Sequence, residues 1–233
     1  MNVKRIWHKI KAVPLIGVPY EKLIGRRKVA KLRARSQEEL QKSGMSYIKI
    51  VEDTLRPTGA VYFAYAGTLL GIARERKLLS WDLDMDYAVV ITPEFTWEDL
   101  EKTLTAAGFR KSREFTYNGM ITEQSYRLRS MDIDFFGFFP QGDKMLSYSS
   151  AYIPGENYSD PDEQSLYVAT LPYIHATTSL VAGDVAVTVP EDCESFLANL
   201  YDENWRIPNP NWVANTGKST SLVEGARSRR QLF

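Results

Sequence analysis

Two short stretches constrain this chain more than any others, because each alternates acidic with apolar residues. They are Trp81-Asp82-Leu83-Asp84-Met85-Asp86 and Met131-Asp132-Ile133-Asp134-Phe135. Residues two apart on a strand share a face, so Asp82, Asp84 and Asp86 are expected on one side with Leu83 and Met85 in a core opposite. The first stretch runs into Ala88-Val89-Val90-Ile91, which marks it as buried. Like charges so close resist ionisation unless a cation neutralises them. An all-oxygen ligand set selects a hard divalent ion, Mg²⁺ or Mn²⁺. Two such strands side by side would build a site for one or two ions, a device suited to phosphoryl or nucleotidyl transfer. The expected ligands are Asp84, Asp86, Asp134 and Asp132. An EF-hand starting at Asp82 fails, because Tyr87 and Pro93 stand where Gly and Glu are needed.

Upstream, Gly67-Thr68-Leu69-Leu70-Gly71 joins a predicted strand to a predicted helix. Glycine there permits close approach to a ligand, and the helix start offers N–H groups to a phosphate. Arg74, one to two turns on, can add charge-assisted hydrogen bonds. Gly67, Thr68 and Arg74 are the expected donor-phosphate contacts. Arg127 and Arg129 alternate ahead of the second acidic strand and, with Asp82, are candidates for phosphate or acceptor contacts. Solvation at a strand edge accounts for the two arginines equally well. Gly217-Lys218-Ser219 is not a P-loop, since Trp212 occupies the required earlier glycine.

The rest of the chain can bury such strands. Of 233 residues, 44% are apolar and 25% charged, average for one or two globular domains. One cysteine, Cys193, excludes a disulfide framework and a multi-cysteine zinc site. No apolar run reaches the ~18 residues of a spanning helix, and no leader pattern is visible. A cytoplasmic location follows as the expectation.

Periodicity predicts a helix from Ser36 to Arg56 with Ser36 and Glu39 as a capping box, a strand Val61–Ala66 and a helix Thr68–Glu75. A second strand running to Ile91, a helix Thr96–Ala107 and a hairpin turning at Asn118-Gly119 follow. The strand Met131–Phe139 comes next, and Gln141–Thr170 reads as long loops with short strands. A hairpin turning at Gly183-Asp184 and a helix Glu191–Tyr201 complete the pattern. Beyond Pro208 the chain reads as a polar tail.

Charge is uneven. Residues 1–35 hold eleven basic side chains against the single acid Glu21, a net +10, while the remainder carries −10. Val3, Ile6, Trp7, Ile10 and Val13 recur there at helical spacing. A basic amphipathic helix with a Trp suits an anionic membrane surface, and packing on an acidic body suits it equally. The balanced total gives no reason to expect a nucleic-acid partner.

The stretch from Ala66 to Arg74, followed by Leu79-Ser80-Trp81-Asp82-Leu83-Asp84-Met85-Asp86, resembles the signature of the LicD family, which includes fukutin and fukutin-related protein. Asp132-Ile133-Asp134-Phe135-Phe136 is similar to the family's second acidic strand. Val189-Pro190, Phe196-Leu197, Leu200-Tyr201 and Trp205 resemble its C-terminal element. The resemblance implies a nucleotidyltransferase-like α/β fold, an α+β mixed sheet. Residues 36–208 would form the catalytic domain, 1–35 a basic arm and 209–233 a tail. It also implies a metal-dependent phosphotransferase. Such an enzyme moves phosphocholine, glycerol phosphate or ribitol phosphate from a CDP-linked donor to a hydroxyl of a surface glycan or its lipid-linked precursor. An acceptor of that kind would place the protein peripherally on the inner membrane face. Asp82-Leu83-Asp84 replaces the family's commoner run of adjacent aspartates, and Arg76-Lys77 departs from its usual turn. Asp84, Asp86 and Asp134 are the expected catalytic residues, Asp134 as base with Asp132 as fallback. A nucleotidyltransferase, a non-catalytic metal-binding module and a glycosyltransferase are the alternatives.

Overall fold

The computed structural model describes residues 25–209 and 211–233. Helix α1 (Arg26–Leu55) is followed by a 3₁₀ turn (Arg56–Thr58), strand β1 (Tyr62–Ala64) and helix α2 (Ala66–Glu75). Strand β2 (Met85–Val90), helix α3 (Trp97–Ala106), β3 (Arg110–Tyr117), β4 (Met120–Leu128) and β5 (Met131–Gln141) come next. The chain continues through β6 (Lys144–Ala151), β7 (Glu163–Pro172), β8 (Thr177–Ala182) and β9 (Val185–Pro190). Helix α4 (Cys193–Leu200) and β10 (Thr220–Leu232) complete it.

Eight strands form one mixed sheet in the order β1-β2-β5-β4-β3-β10-β7-β6, and β6 also pairs with β5. Strands β5, β4, β3, β10, β7 and β6 therefore close a ring, with β2 and β1 appended on the other side of β5. Every pairing is antiparallel except β2 with β5. This is the mixed α/β architecture expected.

The two faces of β2 and β5 differ, as a period of two requires. Tyr87 and Phe135 stack at 5.8 Å on one face. Asp86 and Asp134 lie opposite each other in register on the other. On that second face Tyr65 packs edge-to-face on Phe138 and on Phe196 of α4. Glu52 ties α1 to the first face. Its carboxylate is 2% exposed and accepts from the Thr188 N–H (2.8 Å), the Thr188 hydroxyl (2.6 Å) and the Tyr62 hydroxyl (2.7 Å).

Several expectations need correction. Helix α1 starts at Arg26, ten residues before Ser36, because Arg26–Arg35 is rich in Lys, Arg, Ala and Leu, all strong helix formers. Ser36 is buried within it, and Glu39 accepts from the Tyr47 hydroxyl (3.0 Å) instead of closing a cap. The capping box belongs to α3, between Thr96 and Asp99. The loops expected across 141–170 are largely β6 and β7. The polar tail supplies β10, which sits between β3 and β7 and completes the ring. The amphipathic pattern from Val3 to Val13 lies outside the described residues.

Glu52→Ala should leave Thr188 and Tyr62 unsatisfied in the core. We expect a loss of about 2–4 kcal/mol in urea unfolding. A loss under about 1 kcal/mol would show that this network does not hold α1 to the sheet.

Candidate active site

One row of residues crosses four strands at the same level. Asp86 on β2 is in register with Asp134 on β5, Asp134 with Ser125 on β4, and Ser125 with Arg113 on β3. These side chains share a face, and the next pair of that face, Glu123 opposite Phe136, lies one step along. Asp86, Asp134, Arg113, Glu123 and Phe136 line a cavity of about 730 Å³. Asp82, Asp84, Gly67 and Arg74 line it from the β1–β2 connection. Tyr201, Trp205 and Trp212 also line it, as do Ser147 and Ser149 of β6 and Ala169 of β7.

Arg113 organises the floor. It is 6% exposed, and its Nη2 donates to Asp134 Oδ2 at 2.7 Å while Nε donates to Ser125 Oγ at 2.8 Å. Glu123 Oε1 lies 3.6 Å from the same Nη2. Burial works to lower the guanidinium pKa, yet the surrounding carboxylates, Asp134 foremost, hold it above its usual range. One oxygen of Asp134 is thereby fixed. The other, Oδ1, is buried without a hydrogen-bond partner.

The start of α2 locks Asp86 from behind. The Thr68 hydroxyl accepts from the Asp86 N–H (3.0 Å), and the Tyr65 N–H donates to the Asp86 carbonyl (2.9 Å). Between them Ala66 is held at φ 44°, a left-handed conformation costing about 1–3 kcal/mol in a non-glycine residue. A Cβ at Gly67 would lie 2.7 Å from Asp82 Oδ2. The glycine therefore makes room for that carboxylate, not only for a ligand. Arg74 lies under the Trp81 ring, its guanidinium 5.7 Å from the centroid.

Crowding of acids shows in their protonation. Burial, with Asp84 beside it, pushes Asp82 up to about 7, and Arg74 only partly opposes this. Asp86 is raised by burial, then by Asp84 and Asp134. Burial pushes Glu123 up to about 8 despite Arg113. Six carboxyl groups, Asp202 included, thus share the cavity with the guanidiniums of Arg113 and Arg74. The balance is completed by protons or by a cation. Among the described residues, no three His, Cys, Asp or Glu side chains converge closely enough to hold an ion alone. Such a floor fits Mg²⁺ in its usual role, held by one or two carboxylates with substrate phosphate and water filling the other positions. The unpartnered Asp134 Oδ1 is the atom of this site that most needs such a partner.

The structure brings Asp84, Asp86, Asp134, Asp82, Gly67 and Arg74 to one cavity. Of the first three aspartates only Asp86 is in strand; Asp82 and Asp84 precede β2 in its lead-in, a correction to the single acidic strand face. Thr68 is buried and bonded to Asp86, so it positions that residue and is not among the cavity-lining groups. Asp132 is also outside the cavity, gripped at both oxygens by Arg127 (2.5 and 2.6 Å). Arg127 is thereby committed to that pair, and Arg129 is exposed in the β4–β5 turn at φ 53°. Sequence reading missed Arg113 and Glu123. Their signal was two charged residues, at alternate positions of strands otherwise buried, and without a pairing register it could not be assigned.

Glu123 and Asp82 hold their protons more tightly in the folded chain than in the unfolded one. Their contribution to stability is complete below about pH 4 and fades as pH rises through about 7 to 8. Melting temperature without divalent ions should therefore fall between about pH 4 and pH 8. Glu123→Gln should flatten part of that fall. Parallel curves for the two proteins would remove Glu123 from the account.

Residues 59–175 match the family model described as LicD/FKTN/FKRP, nucleotidyltransferase domain. That span is half of the chain and runs from the turn before β1 to the approach to β8. No curated protein gives a significant match. The matched span contains the acidic floor, Arg113, Glu123 and the α2 start, whereas β10 and the aromatic wall lie beyond it. The chain belongs to the LicD family, and with that membership comes a transferase role of the phosphotransferase kind on glycans.

Proposed function

We propose that the chain transfers a phosphorylated alcohol from a CDP-linked donor to a hydroxyl of a cell-surface glycan or its lipid-linked precursor, releasing CMP. The alcohol is choline, glycerol or ribitol. The observation that carries this reading is the state of Asp134, a residue that lines the cavity: one oxygen is fixed by Arg113 and the other is buried without a hydrogen-bond partner. A carboxylate held so is suited to receive a proton from a hydroxyl placed against it. The acceptor oxygen then attacks the phosphorus bearing the alcohol, the bond from that phosphorus to the oxygen of CMP breaks, and CMP leaves. Arg74 lines the same cavity and donates from Nε and Nη2 to one oxygen of Glu75, and its remaining N–H groups would hold donor phosphate by charge-assisted hydrogen bonds.

Asp84, Asp86 and Asp134 are the candidate ligands, one or two of which would hold Mg²⁺ or Mn²⁺ together with donor phosphate and water. Bound there, the ion would supply neutralisation of the diphosphate charge. The protein's own contribution is to keep these carboxylates in place: Thr68 and Tyr65 fix the Asp86 backbone, and Arg113 fixes Asp134.

A second reading follows from the matched family description, a nucleotidyltransferase domain. In it a nucleoside monophosphate is attached to a small hydroxylated acceptor and pyrophosphate leaves. Product identity separates the two. With Mg²⁺, an acceptor glycan and CDP-choline, CDP-glycerol or CDP-ribitol, the first reading gives CMP and a phosphodiester. Pyrophosphate from a nucleoside triphosphate, with no CMP from any CDP-alcohol, establishes the second.

Two substitutions test the roles. Asp84→Asn removes one ligand charge at nearly constant volume and should abolish turnover while the melting curve remains cooperative. Near-normal turnover would refute the assignment. Asp134→Asn should lower kcat by about 10²–10⁴-fold with donor affinity largely kept. Activity retained in that variant and lost in Asp132→Asn would exchange the two roles.

A further inference from the structure

The rim of the cavity exposes large apolar side chains between polar ones such as Asn204 and Asn209. Trp81 is 54% exposed and Ile207 is 67% exposed, and both line the cavity. Val213, 55% exposed, stands between the lining residues Trp212 and Ala214. Exposed apolar groups gathered at one opening mark a contact surface. Trp in particular favours a boundary where one side is apolar and the other wet.

A positive element emerges beside this rim. Among the described side chains of α1 the first buried one is Ser36, and Lys28, Lys31 and Arg35 before it are exposed. The ten residues Arg26–Arg35 include six basic side chains and no acid, and they span about 15 Å of helix. Just past them, the Gln37 side-chain amide donates to the Ser80 carbonyl and that of Gln41 to the Leu79 carbonyl (2.9 Å). Leu79 and Trp81 line the cavity, so α1 is pinned to the rim where its basic stretch meets the body. Five further basic residues precede Arg26 in the sequence, against one acid.

We propose that the cavity mouth docks on an anionic lipid bilayer, with the basic end of α1 on the headgroups and Trp81, Ile207 and Val213 in the boundary layer. Cationic charge beside exposed apolar side chains is what binds such a surface, because each supplies what the other lacks. A net −10 over residues 36–233 speaks against the whole molecule lying flat on anionic lipid. Contact is confined to this end. The opening through which a ligand enters then faces the bilayer. The inference needs no turnover and stands independently of the donor and acceptor proposed above.

The test is sedimentation of the full chain with vesicles of phosphatidylcholine, with and without about one-third phosphatidylglycerol, at low and at about 0.5 M salt. Wild type should bind the anionic vesicles at low salt, release at high salt and ignore neutral vesicles. Lys28→Glu with Lys31→Glu and Arg35→Glu should weaken binding by at least about 100-fold, since each basic residue contributes about fivefold. Trp81→Ala and, separately, Ile207→Ser should each weaken it severalfold without altering its salt dependence. Brominated lipid chains should quench tryptophan emission in wild type, and less in Trp81→Phe. Equal binding by wild type and the triple variant overturns the proposal. So does vesicle binding in which Trp81 is neither quenched nor needed, because the mouth is then not the docking face. Salt-sensitive self-association with no vesicle binding assigns the basic helix to the acidic body of a second copy and likewise overturns it.

Discussion

Asp86 and Asp134 face one another in register on two parallel strands inside a sheet, and the rest of the structure answers to that fact. Two carboxylates at adjacent positions, Asp134 buried and Asp86 half-buried, repel each other, and each alone is costly to desolvate. The compensation comes from Arg113, two strands away along the same row. A guanidinium is itself costly to bury and remains there only because Asp134, Ser125 and Glu123 surround it. Burying Arg113 in turn requires β10 on the far side of β3, with Leu232 its register partner. The C-terminal strand is thus connected, through the charge balance of the floor, to residues that lie a hundred positions earlier in the chain.

The scaffold keeps this balance away from its hydrophobic side. Strand alternation sends Tyr87, Phe135 and Ile133 to the face covered by α1, where Glu52 is the principal buried charge and is satisfied by Thr188 and Tyr62. The acidic face is closed by α2, α4 and the 200–217 segment. At Gly217 a Cβ would stand 1.9 Å from the Leu200 carbonyl oxygen, so only glycine allows the returning chain to press on the end of α4. That contact sets where Tyr201 and Trp212 wall the cavity, with their rings 5.1 Å apart.

Much of the floor was legible in the sequence because alternation is a local signal. Asp84-Met85-Asp86 and Asp132-Ile133-Asp134 declare strands, and Gly67-Thr68 declares a strand-to-helix turn. The partners of those carboxylates were not legible. Arg113 and Glu123 meet Asp134 only through the β3–β4–β5 register, which two irregularities in the β3–β4 pairing shift from simple counting. Strand β10 was hidden for a related reason. Thr220–Leu232 carries Glu224, Arg227, Arg229 and Arg230, which reads as a solvated tail, yet Arg227, Arg229 and Arg230 find Glu156, Asp160 and Asp162 across the β6–β7 connection. The start of α1 was misplaced because Ser36 and Glu39 mimic a cap in the middle of a helix that tertiary contacts continue.

Asp132 and Asp134 show why spacing alone could not assign roles. They are two residues apart on the same strand, and both are buried. Each meets an arginine, Asp132 one on the adjacent β4 and Asp134 one on β3 two strands away, but the geometry differs. Arg127 takes both oxygens of Asp132, a fork-to-fork pair that satisfies the carboxylate and commits it. Arg113 takes one oxygen of Asp134 and spends its Nε on Ser125, leaving Oδ1 for something else. The difference lies in what stands beside each arginine, since Ser125 draws the Arg113 fork sideways. A closed ion pair stabilises a strand and does little more. The pair at Asp134 leaves one carboxylate oxygen without a partner, on a residue that lines the cavity, and in that respect the two aspartates are not equivalent.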